Sequence, residues 1–284
     1  MAQMHWLLVT LIGLLMGGVV NVLADDLPAG RRPSMPKYSD GSRRPLAAWL
    51  GLTAFAFQLR QSYDTRFADS GTDCAKRGTL SWRYPLVEIA LAALMTLTQA
   101  VAIDVRLLSI PEALIWQAMV VLFLMIAVID LEHRRIPLTP LLAAGALAII
   151  RAFAIPLRPP TTAAMLVGAL CAGLAFSLVY LGGRLFTRLA SKRWSLPKDF
   201  TAFGRGDVYL MTAGGLIVGY PDVLIAMALA ILLGGIGALF YMAGKRASGG
   251  YQPFTALPYG PYILAAIYVV MLLPGEASGL FAGL

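Results

Sequence analysis

Long, unbroken apolar runs alternate with short polar or basic segments along most of this chain. The runs are Trp6–Leu23, Pro85–Ala102, Pro111–Ile129, Pro137–Ile155, Thr162–Leu185, Val208–Tyr220, Val223–Met242 and Pro258–Leu273. Most approach the ~20 residues that a helix needs to cross the hydrocarbon core. They do not alternate apolar with polar as barrel strands do, and lipid admits only helices or closed barrels. The pattern therefore predicts an all-α, polytopic membrane bundle of about eight transmembrane helices. Several runs open on proline, which suits a first turn whose N–H would be unpaired anyway. A further patch, Leu46–Leu59, is too short to span and is expected to lie at the interface or fold against the membrane. Val208–Tyr220 is also short. A short helix is tolerated where protein encloses it, so this run marks a region to inspect for a site.

Composition agrees. Of 284 residues, 58% are hydrophobic and 13% charged, against roughly a quarter charged in an ordinary soluble domain. The net charge is +8. In a soluble protein this balance would point to nucleic acid; here basic loops that set topology and meet anionic lipid account for it, and no nucleic-acid partner is expected. With the N-terminus outside and eight spans, both termini lie outside. Twenty of the 23 Lys and Arg residues then fall on the inner side, and only Arg106, Arg151 and Arg158 stay outside. The first run lacks the basic residues that precede a secretory signal, so it is expected to remain as an uncleaved helix. The two cysteines, Cys74 and Cys171, are too few for a disulfide framework or a four-thiolate zinc site.

Carboxylates at the edge of an apolar run are costly and point to function. Most acids here are assigned to polar loops, where solvation suffices. Asp130 and Asp207 are read as the exceptions. Asp130 ends the run that closes on Val128-Ile129, and Asp207 opens the short run after Gly204-Arg205-Gly206. The topology puts both at the cytoplasmic ends of their helices, at one depth, although 77 residues separate them. Two glycines before Asp207 allow a tight turn and close backbone approach. One acid begins a helix; the other ends one beside hydrocarbon. Such unlike surroundings suit an aspartyl pair that shares one proton. The competing reading is two helix-capping acids.

At these positions the chain resembles the type IV prepilin leader peptidases. Ile129-Asp130-Leu131-Glu132-His133-Arg134-Arg135-Ile136-Pro137 looks like their IDxExxxIP box, and Gly204-Arg205-Gly206-Asp207 like their GxGD box. Pro258-Tyr259-Gly260-Pro261 is similar to their PFGP segment, and Ser81 through Glu88 to their SWRYPLVE segment. Gly13 through Val22, followed by Leu27-Pro28, resembles their GxxxGSFxNV start. The resemblance implies a multi-pass protein of the bacterial inner membrane. It would cut the basic leader of prepilins or type II secretion pseudopilins on the cytoplasmic face, just before the substrate's hydrophobic N-terminal helix. It implies Asp130 and Asp207 as the catalytic pair, with no metal and no cofactor for proteolysis. Supporting roles fall to Glu132, Gly204, Gly206, Pro137, Pro258 and Gly260, with an orienting role for Glu132.

The departures concern the accessory loop. Many family members carry two Cys-x-x-Cys pairs there. Asp73 and Lys76 stand at the positions of one pair, with Cys74 out of step, and the upstream pair is missing. A zinc knuckle is thereby excluded. The loop is associated with N-methylation of the new N-terminus, so S-adenosylmethionine is implied only if that activity is retained. Tyr209 replaces a lysine that often follows the GxGD box. The expected layout is a first transmembrane helix over 1–24, a cytoplasmic loop without zinc-binding cysteines over 25–84, and a membrane-embedded aspartic peptidase domain over 85–284. A non-proteolytic channel, transporter or assembly factor is the alternative. A presenilin-like protease fits less well: Ile129 rather than Tyr precedes Asp130, and the late triplet is Ala256-Leu257-Pro258.

Overall fold

The computed structural model describes residues 2–38, 41–59, 79–155, 158–190, 203–248 and 257–273. Cys74, Asp73 and Lys76 lie outside the described residues, as do several basic residues of the inner loops. Among the described residues every named element is helical, and one isolated bridge pairs Lys37 with Arg43. The helices are α1 (Ala2–Asp26), α2 (Gly51–Ala56), α3 (Arg83–Gln99), α4 (Ile110–His133), α5 (Leu138–Ala154), α6 (Thr162–Ala190), α7 (Arg205–Val218), α8 (Asp222–Ala247) and α9 (Gly260–Leu272). Each of the eight predicted runs carries a helix. Five stretches are long and apolar enough to cross a membrane: His5–Asp26, Arg83–Val105, Ile110–His133, Thr162–Leu189 and Asp222–Ala247. The helices of the other three predicted runs, α5, α7 and α9, are shorter than that length.

The chain forms two compact units. One comprises Met1–Asp104 and Trp116–Met125; the other comprises Val105–Ile115 and Ile126–Leu284.

In the first unit, α1 packs on α3 through glycines. A Cβ at Gly13 would fall 2.6 Å from the Ala92 Cα, and one at Gly17 would fall 2.5 Å from the Glu88 Cα. These two glycines stand four apart on one helix face, the spacing that lets helix backbones touch in lipid. Glu88 is fully buried on α3. It accepts the backbone N–H of Gly51 at 2.6 Å and of Leu52 at 2.8 Å, and the Asn21 side-chain amide at 3.4 Å. Those backbone donors are the orphan N–H groups at the start of α2. A buried carboxylate thus tethers the 46–59 patch, which folds as a 3-10 turn (Leu46–Ala48) followed by α2. This agrees with the expectation that the patch is no span.

In the second unit α7 packs against α5, α6, α8 and α9. Gly168 on α6 and Gly215 on α7 meet backbone to backbone: a Cβ at Gly168 would lie 2.6 Å from the Gly215 carbonyl oxygen. Leu210, Met211, Ile217 and Val218 are buried. Neighbouring helices shield α7, so it need not match the hydrocarbon thickness alone. That accounts for its 14 residues.

Two further acids break the reading that only Asp130 and Asp207 leave the loops. Glu88 and Glu112 both lie inside predicted apolar runs and are 0% exposed. Glu112 sits in the first turn of α4. It accepts Nε and Nη2 of Arg151 at 3.0 and 2.8 Å, and Arg158 Nη1 lies 3.7 Å from its other oxygen. Arg151 also donates to the Pro159 carbonyl at 2.7 Å, and Arg106 donates to the Met271 carbonyl at 2.8 Å near the end of α9. An acid in a first turn and a base in a last turn both agree with the helix dipole.

Candidate active site

The site assembles from three segments of the second unit. The first is the last turn of α4 and the linker after it. Asp130 is 4% exposed, one turn before the helix ends. Arg134 closes the helix in a left-handed conformation (φ 51°), its N–H bonded to the Asp130 carbonyl at 2.8 Å. The chain then turns through Ile136 to Pro137, which caps α5.

The second segment is Gly204-Arg205-Gly206-Asp207. Asp207 is the third residue of α7, 9% exposed, and its carboxylate accepts the Gly204 N–H at 3.2 Å. It therefore does part of a capping acid's work, reaching back to the residue before the helix. Gly206 packs on the first segment: a Cβ there would fall 3.1 Å from the Ile136 Cβ. The two boxes are thus in contact.

The third segment is Pro258-Tyr259-Gly260-Pro261 at the head of α9. The Gly260 N–H donates to Asp130 Oδ2 at 3.0 Å. Gly260 is absent from the positive-φ glycines among the described residues, so its missing side chain serves space rather than backbone freedom. A Cβ at this position would lie 2.6 Å from Asp130 Oδ2 and 3.0 Å from its Cγ. Gly260→Ala is accordingly expected to rotate the Asp130 carboxylate off its amide donor. A displacement near an ångström at a reacting group costs about a hundredfold in rate. A loss of that order in kcat, with an unchanged melting temperature in detergent, is the expected result.

Two buried carboxylates, each accepting one glycine N–H, share a region that contains the ends of α4, α7 and α9. Two acids buried in one region do not both ionise readily, so the arrangement can hold one proton between them. One acid is then equipped to accept a proton and the other to donate one.

Of the supporting residues read from the sequence, Gly204, Gly206 and Gly260 contact the aspartates or join their boxes, and Pro137 starts α5 beside them. Pro258 precedes the Gly260 turn and is half-buried. Glu132 is exposed. Two positions along a helix is a rotation of roughly 200°, which sets it on the far side of α4 from Asp130. Tyr209 is 51% exposed. Sequence reasoning missed Phe203 and Tyr259, the aromatic residues immediately before Gly204 and Gly260. Their signal was available, since each stands one position before a box glycine. Among the described residues no group of three or more His, Cys, Asp or Glu side chains gathers as a metal site.

A family model described as "Type IV leader peptidase family" matches residues 116–239, a stretch that contains both Asp130 and Asp207. No curated protein and no solved structure matches the chain.

Proposed function

We propose that this chain, whose residues 116–239 match the model of the type IV leader peptidase family, is a membrane aspartic endopeptidase with Asp130 and Asp207 as its catalytic pair. Its substrate is a prepilin or pseudopilin with a basic leader and a hydrophobic N-terminal helix. Cleavage takes place at the cytoplasmic face of the bacterial inner membrane. The observation that carries the reading is the convergence of two buried aspartates from distant boxes, each held by a glycine amide.

In this mechanism the ionised carboxylate takes a proton from a water molecule, whose oxygen attacks the scissile carbonyl carbon. The protonated partner donates to the carbonyl oxygen as it becomes tetrahedral. As the intermediate collapses, one of its hydroxyls returns a proton to the partner carboxylate and reforms the carbonyl, the C–N bond breaks, and the proton taken from water passes to the leaving amine. The pair ends with one proton, as it began. The position of both acids at the ends of apolar runs suits a bond that lies just before a substrate's hydrophobic helix.

The test is cleavage of a prepilin by purified protein in detergent, with Asp130→Asn and Asp207→Asn as the decisive variants. Full processing by either variant overturns the assignment. N-methylation is a separate question, because the cysteine pairs of the accessory loop are missing. Mass spectrometry of the processed substrate, with S-adenosylmethionine supplied, is expected to show an unmodified first residue. A methyl group there would mean that the second activity does not need the cysteines.

A further inference from the structure

Phe203 immediately precedes Gly204, whose N–H holds Asp207; Tyr259 immediately precedes Gly260, whose N–H holds Asp130. The two rings meet edge to face with centroids 5.8 Å apart, a favoured geometry for aromatic pairs. Each ring is braced in turn. Phe203 lies 5.7 Å from Phe176 of α6, and Tyr259 lies 6.3 Å from Tyr262 of α9. On α8, Gly234 and Gly237 leave the space that the two tyrosines occupy. A Cβ at Gly234 would overlap the Tyr259 ring, and one at Gly237 would overlap the Tyr262 hydroxyl. The capping reading of the aspartates explains neither the paired rings nor the notch that holds the tyrosines.

We propose that Phe203 and Tyr259 form an aromatic bracket that joins the two glycine turns and so sets the separation and orientation of Asp130 and Asp207. Both are positioning residues, acting through the backbone amides one position further on. The role follows from covalent geometry. A ring that shifts together with its Cα also moves its own carbonyl, and that carbonyl and the next residue's N–H belong to one rigid peptide plane. Displacing either ring therefore tilts the N–H that an aspartate accepts. An aspartyl pair needs its two carboxyls held within hydrogen-bond reach of one substrate carbonyl and one water, so a loosened bracket lowers the rate of chemistry more than the affinity for substrate.

This inference rests on the peptidase reading, and the experiment separates the two. Phe203→Ala and Tyr259→Ala are each expected to lower kcat on the order of 10- to 100-fold, with KM within about twofold. Tyr259→Phe and Phe203→Tyr keep the rings and are expected to stay within about twofold of the wild type in kcat. The double alanine variant is expected to lose no more than the worse single variant, because either change breaks the same bracket. Gly234→Val, which keeps both aromatic residues but closes the notch and so displaces the Tyr259 ring, is expected to fall with Tyr259→Ala. A merely structural role would instead lower the melting temperature and leave the kcat of the folded fraction unchanged.

A second readout does not depend on cleavage: the infrared C=O stretch of the protonated aspartate, assigned by its loss in Asp130→Asn or Asp207→Asn. It is expected to shift in the alanine variants and hold in the ring-preserving ones. Several results would overturn the bracket: wild-type kcat and an unmoved carboxyl band in both alanine variants, losses that add independently, or Tyr259→Phe behaving like Tyr259→Ala. If Asp130→Asn still cleaves, the peptidase reading fails instead, and the carboxyl band alone decides the bracket.

Discussion

Asp130→Asn and Asp207→Asn are each expected to bring prepilin cleavage down by at least about 10³-fold, because in the proposed mechanism each removes a proton acceptor or donor on which bond breaking depends. The change is nearly isosteric. An asparagine at 130 still offers a side-chain oxygen to the Gly260 N–H, and one at 207 still offers an oxygen to Gly204. Both variants are therefore expected to fold. Their melting temperatures in detergent should equal or exceed that of the parent, since replacing a buried acid by a neutral amide relieves the crowding of two carboxyls. The double variant is expected to be no slower than either single one, as is usual for groups that act as a unit. Gel separation of precursor from processed substrate, with circular dichroism of the same samples, checks both halves. Inactivity together with unfolding would not support the assignment; inactivity in a protein as stable as the wild type does.

The second large effect is on stability. Arg151→Leu is expected to destabilise the protein by about 3–5 kcal/mol, the usual consequence of leaving one member of a buried ion pair without the other. Glu112 has no exposed surface, and Arg151 supplies both of the close hydrogen bonds to its Oε1. Arg158 stands at 3.7 Å from the other oxygen and is 42% exposed, so it compensates poorly. The charge left on Glu112 would have to be solvated inside the fold or neutralised. Glu112→Leu combined with Arg151→Leu should recover most of the loss, because an apolar pair of similar volume asks for no compensation. Thermal unfolding in detergent measures both variants. A single Arg151→Leu as stable as the parent would mean that Glu112 is accommodated by groups other than the ion pair. Glu112 and Asp130 occupy opposite ends of α4, so the kcat of the folded fraction should stay near the wild-type value.

The Glu112 pair also explains what the charge pattern left over. Arg106, Arg151 and Arg158 were the three basic residues that the topology count placed outside. Arg151 and Arg158 face Glu112, and Arg106 donates to the end of α9. Their positions follow from partners within the fold rather than from the rule that sorts loops. An arginine inside the run Ala148-Ile149-Ile150-Arg151-Ala152-Phe153 and a glutamate just inside the run that opens on Pro111 were visible in the sequence. Charged residues at such places call for partners. The reading passed over them because linear position cannot say that two residues 39 apart meet.

The sequence by itself determined the helical class and the location of all eight runs. Lipid leaves no other way to satisfy the backbone of a long apolar segment, so composition and length are enough. It also singled out Asp130 and Asp207, because each edge-of-run carboxylate is conspicuous without knowledge of its neighbours. Only the tertiary structure decided which helices reach spanning length and why α7 does not need to. It also decided that the Gly260 N–H holds Asp130. These outcomes depend on contacts between segments more than a hundred residues apart, as with the Gly260 N–H and Asp130. Local patterning carries no information on which backbone amide or which aromatic ring will arrive beside a given carboxylate. Helix packing settles that, through the close approaches that Gly168, Gly215 and Gly234 allow.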